Sequence, residues 1–123
     1  MAYETYWEGA GIRWVYTGVM TDDDVLRSNG DFYKDERFES ATFEIADLTN
    51  VAEFAASGET IRKLPRLDRE HAARNPNIKV AIVVSAAYAR GMANMYSLAA
   101  AESPWETRVF ESIDDAREWL AGE

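Results

Sequence analysis

Three adjacent carboxylates, one histidine and a run of arginines are the residues of this chain whose types and spacing could do chemistry. Asp22-Asp23-Asp24 could hold a divalent cation, but adjacent side chains at a helix start diverge, and the Asp-x-Asp-x-Asp-Gly spacing of a calcium loop is missing. They are expected to be a solvated helix terminus facing the positive end of the helix dipole. His71 could be a general base, yet its neighbours Glu70 and Ala72 supply no nucleophile, and Asp47 could orient it only if two distant segments met. The chain has no cysteine, so thiolate metal sites, disulfides and cysteine nucleophiles are excluded, and a solitary histidine cannot build a histidine-rich metal site. No cofactor or metal is expected, and binding is the expected mode of action rather than catalysis.

The remaining candidates are recognition features. Arg62, Arg66 and Arg69 follow spacings of four and three, which align them on one helical face if the helix runs through Pro65. Such a stripe either balances the acidic remainder of the chain or docks an anionic headgroup or an acidic partner. Tyr88, Met92, Met95 and Tyr96 share one face of a later helix, and thioethers and phenols there suit a core, a dimer interface or the lining of a ligand pocket.

The elements that must position these residues can be read from periodicity and caps. Residues 3–7 and 11–16, separated by Glu8-Gly9-Ala10, predict a β-hairpin with Ile12, Trp14 and Tyr16 on one face. Thr21 opens a helix with Asp24 at capping-box distance, and Asn29-Gly30 predicts its interruption. Residues 41–48 predict a strand that is half buried or near an edge, because Phe43, Ile45 and Asp47 alternate with Thr42, Glu44 and Ala46. Residues 49–56 read as a connection. Ser57-Gly58 then begins a helical stretch toward Asn75, which Pro65 should kink or, in the preferred reading, divide into two helices. Residues 79–85 form a continuous apolar run, typical of a central strand covered on both faces. A helix over 86–101, a strand over 106–110 and a terminal helix capped by Ser112 and docked by Ala116, Trp119 and Leu120 complete the order. After the hairpin, strand and helix alternate, which predicts an α/β fold: a mostly parallel sheet of about five strands with about four helices. Ser85 at the carboxyl end of the central strand, with Thr49 and Asn50 after the preceding strand, would share the rim where open α/β sheets bind ligands.

With 123 residues, the chain is expected to form one domain over 1–123. Its net charge of −9 excludes nucleic acid as a default partner, but the charge is uneven: −8 over 1–56, +3 over 57–80 and −4 over 81–123. The start lacks the basic and apolar regions of a secretory signal, and the longest apolar run is far too short to span a bilayer, so a cytoplasmic location is expected with no integral membrane segment. Tyr3, Tyr6, Trp7 and Trp14 are more aromatic surface than one hairpin face needs, which predicts a homodimer through that edge.

Asp47-Leu48-Thr49-Asn50-Val51, Ser57-Gly58, Lys79-Val80-Ala81-Ile82-Val83-Val84 and the close from Val109-Phe110 to Ala116-Arg117-Glu118-Trp119-Leu120, set in this element order, resemble the STAS superfamily and its SpoIIAA-like branch, named for the bacterial anti-sigma-factor antagonist. The resemblance covers nearly the whole chain. It implies a non-enzymatic bacterial regulatory module that binds a protein partner through residues 49–60 and the basic face beyond, with Thr49, Asn50, Ser57, Gly58, Arg62 and Arg66 as contact residues. In phospho-regulated members an Asp-Ser-Ser-Gly turn carries the phosphoserine; here the turn is Ala55-Ala56-Ser57-Gly58, so the phosphorylated position is Ala56 and only Ser57 and Gly58 remain. Ser57 has its own explanation as a helix N-cap, which is the preferred reading over a phosphorylation site. SpoIIAA-like proteins are also similar to the lipid-binding CRAL-TRIO fold. That likeness implies an alternative, a carrier or sensor of a small apolar ligand held between the sheet and the helices carrying Leu64, Leu67, Met92 and Tyr96, with Ser85 and Tyr88 near its rim.

Overall fold

A computed structural model describes residues 2–85 and 87–122. The hairpin forms from β1 (Tyr3–Glu8) and β2 (Gly11–Met20), joined through Gly9, whose φ of 60° favours glycine. Then follow α1 (Asp22–Lys34), a 3-10 turn over Glu36–Ser40, β3 (Phe43–Phe54), α2 (Gly58–His71), β4 (Lys79–Val83), α3 (Ala87–Ala99), a second 3-10 turn over Ala100–Glu102, β5 (Glu106–Phe110) and α4 (Ile113–Gly122). The strands lie in the order β1-β2-β3-β4-β5, the first pair antiparallel and the others parallel. Because the sheet grows in one direction from β2 to β5, right-handed crossovers carry α1, α2 and α3 to the same face. The larger core forms there, around Trp14, Tyr16, Phe32, Ile61, Val80 and Tyr96. On the other face α4 packs Ala116 against Ile45, Ala81 and Val83.

The caps form as expected. Thr21 and Asp24 make a reciprocal capping box, and Ser112 Oγ accepts the N–H of Asp115.

Four local expectations are corrected. Helix α1 runs through Asn29-Gly30 without interruption: Asn29 is buried and donates its amide to the Val25 carbonyl at 2.9 Å, while one turn on Phe32 packs on Trp7 and Trp14 of the sheet and Tyr33 on His71 of α2. That packing outweighs the ~1 kcal/mol that a mid-helix glycine costs. Strand β3 is neither at an edge nor half buried, since it lies between β2 and β4 with Glu44 and Ile45 both buried on opposite faces. Residues 49–54 are strand rather than connection, because the second half of β2 supplies the partners Thr17↔Asn50 and Gly18↔Val51, and continues to Met20↔Phe54 past two register irregularities. Pro65 divides nothing. Helix α2 is continuous, and the burial of Ile61, Leu64 and Pro65 itself offsets the roughly 3 kcal/mol cost of an interior proline.

The hairpin's aromatic residues are mostly absorbed by the fold. Tyr3, Trp7 and Trp14 pack on the helix-covered face, and Tyr6 is the one left exposed, with the Arg13 guanidinium 4.5 Å from its ring centroid.

Gly11 lies opposite Phe43 in the register, and a Cβ there would stand 2.2 Å from the ring. Gly11→Val is therefore expected to displace Phe43 and lower stability by about 1–3 kcal/mol. Urea denaturation checks this; unchanged stability would mean that the ring swings aside at no cost.

Candidate functional site

Where α1, α2 and α3 meet the middle of the sheet, side chains do not fill the space. Trp14 and Tyr16 come from β2, Glu44, Ala46 and Leu48 from β3, Val80 and Ile82 from β4; the helices close over them with Val25 and Asn29, Ile61 and Leu64, and Ala93 and Tyr96. They surround a cavity of about 60 Å³, with Met20 and Phe54 at the ends of their strands on its border. Ala46 is the local cause: its methyl group, in the middle of a central strand, is too short to reach the helices, and it stays only half buried.

The walls are apolar, yet acidic groups are sunk among them. Helix α2 carries Asp68 on the same stripe as Ile61 and Leu64, so the docking of that stripe takes the carboxylate inside, 2% exposed. Tyr33 of α1 donates its hydroxyl to one carboxylate oxygen and Tyr96 of α3 donates to the other. Burial pushes the Asp68 carboxyl up to about 6, even though the two phenol donors and His71 favour its charged form. The buried carboxylate in turn raises both phenols further above a range already lifted by burial. His71 stacks flat on Tyr33, centroids 3.9 Å apart, and its Nδ1–H donates to the Leu67 carbonyl at 2.9 Å.

Glu44 has no such support. It points toward the helices because period two along β3 places it with Ala46 and Leu48, and it is 3% exposed. Its Oε2 is buried without a hydrogen-bond partner. Burial raises its carboxyl well above the usual range, and the Asp68 charge acts in the same direction. Nearby, the Tyr16 hydroxyl donates to Ser28 Oγ at 2.5 Å, since Ser28 spends its own proton on the Val25 carbonyl.

Most of the residues expected from the sequence lie around this site rather than in it. Ser57 is the N-cap of α2: its Oγ accepts the Thr60 N–H at 3.1 Å, and its own N–H donates to Asp22 at 2.6 Å. Gly58 lies beside the Arg62 guanidinium. The three aspartates diverge, Asp22 to Ser57, Asp23 to Arg27 and Asp24 into its capping box, and among the described residues no group of three acidic or histidine side chains could hold a metal. Thr49 donates to Asp47 at 2.7 Å and Ser85 Oγ lies 3.5 Å from the Thr49 carbonyl, so the structure does bring these two together; Asn50 is exposed, and none of the three lines the cavity. Asp47 shares the α4 face of the sheet with Val83, whereas His71 packs with Tyr33 on the other, so the two cannot form an acid/base couple. Arg62, Arg66 and Arg69 line up exposed along the unbroken α2, with Arg62 Nη1 3.7 Å from Met95 Sδ. Tyr96 and Leu64 do line the cavity, and Leu67 packs beside the core; the side chains of Tyr88 and Met92 lie outside the described residues.

Sequence reasoning passed over Glu44, Asp68 and Tyr33. A signal existed for Asp68, a charge on the apolar stripe of α2, and a weaker one for Glu44, a charge in register with Ala46 and Leu48.

The antiparallel opening pair, the parallel sheet in sequential order, three helices on one face and the last on the other make this a SpoIIAA-like α/β domain. Among solved structures the chain is similar to an uncharacterised protein of the DUF3478 family with a SpoIIAA-like fold from Shewanella loihica PV-4, at 16% identity and a TM-score of 0.60 over 97% of this chain and 92% of that one. At that identity the likeness is one of fold. No protein-family model and no curated protein matches the sequence. No helix among the described residues is long and apolar enough to cross a membrane.

Proposed function

We propose that this protein is a binding module that holds a small molecule with an apolar body in the cavity between the sheet and helices α1 to α3. The observation that carries the reading is the combination of an unfilled apolar space beside Ala46 with a buried, unpartnered acceptor, Glu44 Oε2, on its wall. Native cores are packed to crystal-like density, and a void bordered by an orphan polar atom is costly unless something occupies it. At about 60 Å³ the space is less than half the ~150 Å³ that accommodates benzene in an engineered apolar cavity, so the occupant is a few heavy atoms long and an acyl chain is too large.

Organic extraction of natively purified protein followed by mass spectrometry is expected to release one small molecule in stoichiometric amount. Ala46→Leu should fill the space, abolish retention of that molecule and leave stability unchanged or raised by about 0.5–2 kcal/mol. Empty extracts from the parent protein, with Ala46→Leu strongly destabilised because the site is already filled by protein atoms, would end this reading.

A second reading, docking of an acidic protein partner, is favoured by the alignment of Arg62 and Arg66 on the exposed face of α2. The N-cap role of Ser57 and the alanine at position 56 do not support a phosphoserine switch in that surface.

A further inference from the structure

Resting on the pocket reading above, we propose that the molecule held is a short primary amine in its ammonium form, its N–H donating to Glu44 Oε2 and its hydrocarbon body lying among Trp14, Tyr16 and Tyr96. Four features of the cavity converge on that chemistry.

The first is the orphan acceptor. Glu44 Oε2 is buried with no donor, a cost that a ligand N–H recovers. Asp68, the other carboxylate, already has both oxygens engaged by Tyr33 and Tyr96, so Glu44 is the open one.

The second is charge. Glu44 and Asp68 are both buried here, and among the described residues no lysine, arginine or histidine is buried. The titratable groups facing Glu44 are Tyr16 from β2, Tyr33 from α1, Asp68 from α2 and Tyr96 from α3, all acidic or neutral. The half-buried His71 stands behind Tyr33 on its other side. A ligand cation would supply the countercharge that lets Glu44 ionise in place, which no buried residue of the described chain supplies.

The third is the wall. Three aromatic residues, Trp14, Tyr16 and Tyr96, line the space, and aromatic rings attract ammonium groups when water is excluded. The fourth is size, because the cavity suits a chain of two to four heavy atoms.

Burial favours the protonated form of Glu44 in the empty site, so capture of an ammonium is coupled to release of that proton to water and leaves a carboxylate–ammonium pair. Affinity should therefore rise with pH, by up to tenfold per unit, until Glu44 ionises in the empty protein or the amine itself loses its proton.

The test is titration of the full chain with propylamine and with its neutral isostere 1-propanol, read by calorimetry and by tryptophan fluorescence, from pH 6 to pH 9. Propylamine should saturate and bind at least tenfold more tightly than propanol at pH 8, with the pH slope for the amine alone. Glu44→Gln, which keeps volume and removes the charge, should abolish both the preference and the slope while still admitting propanol. Equal binding of the two probes overturns the amine assignment and leaves the pocket reading standing. Binding of neither overturns both. An amine preference that survives in Glu44→Gln overturns the role given to Glu44.

Discussion

Asp68→Ala will lower the unfolding free energy by roughly 2–5 kcal/mol, among the largest losses expected from any single substitution in this protein. The side chain is the common acceptor for Tyr33 of α1 and Tyr96 of α3, so its removal strands two buried hydroxyls and unties three helices at one point. Asp68→Asn should cost much less, because an amide can still accept from one phenol and donate to the other. Tyr33→Phe and Tyr96→Phe should each cost about 1–2 kcal/mol, with a non-additive double variant, since both act on the same carboxylate.

The same residue gives stability a pH dependence of definite sign. A carboxyl with an ordinary value of 3.8, raised to about 6 in the fold, binds its proton more tightly folded than unfolded. Folding is therefore favoured at low pH, and this contribution is lost as pH rises from about 4 to about 6, to a total of about 3 kcal/mol. Glu44, whose carboxyl burial also raises, acts in the same direction from its ordinary value of 4.5 upward. Glu8, held down to about 2 by hydrogen bonds from Arg117 and Arg13, acts oppositely and only below about pH 4.5; its partners Arg117 and Arg13 leave the pair partly open to solvent screening, so its contribution is small. Urea midpoints measured from pH 4 to pH 8 should fall for the parent and fall less steeply over the lower half of that range for Asp68→Asn. A parent curve that rises throughout would contradict the burial assigned to Asp68.

Phe32→Ala is the second large expected loss, about 3–5 kcal/mol. Its ring is 1% exposed and meets Phe38 edge-on at 4.9 Å between centroids, Trp14 edge-on at 5.7 Å and Trp7 at 5.9 Å. These contacts join the opening hairpin, α1 and the following 3-10 turn, and aromatic pairs of this geometry contribute about 0.5–1.5 kcal/mol each beyond area. Phe32→Leu should recover at least half of the loss, because a branched aliphatic refills much of the volume. Denaturation together with near-ultraviolet circular dichroism checks both points; a loss under 1 kcal/mol for the alanine variant would mean that the hairpin is held by its backbone pairing alone.

Local features of this protein are legible in its residues because their causes are local. The hairpin, the caps at Thr21, Ser57 and Ser112, the apolar β4 and the alternation that makes the sheet parallel follow from periodicity and from side chains reaching backbone groups within a few positions. The continuity of α1 through Gly30 and of α2 through Pro65 is not legible in the same way, since each unfavourable residue is tolerated only when tertiary burial of its neighbours exceeds its cost. The second half of β3 depends likewise on a partner strand more than thirty positions earlier. The site is the extreme case. Sequence by itself put Thr49, Asn50 and Ser85 on a rim, made Ser57 a helix cap, and excluded thiolate and multi-histidine chemistry. Only the tertiary structure could place Glu44 and Asp68 in one dry interior with Tyr33 and Tyr96, because whether a carboxylate meets water or an apolar wall depends on which distant elements close over it.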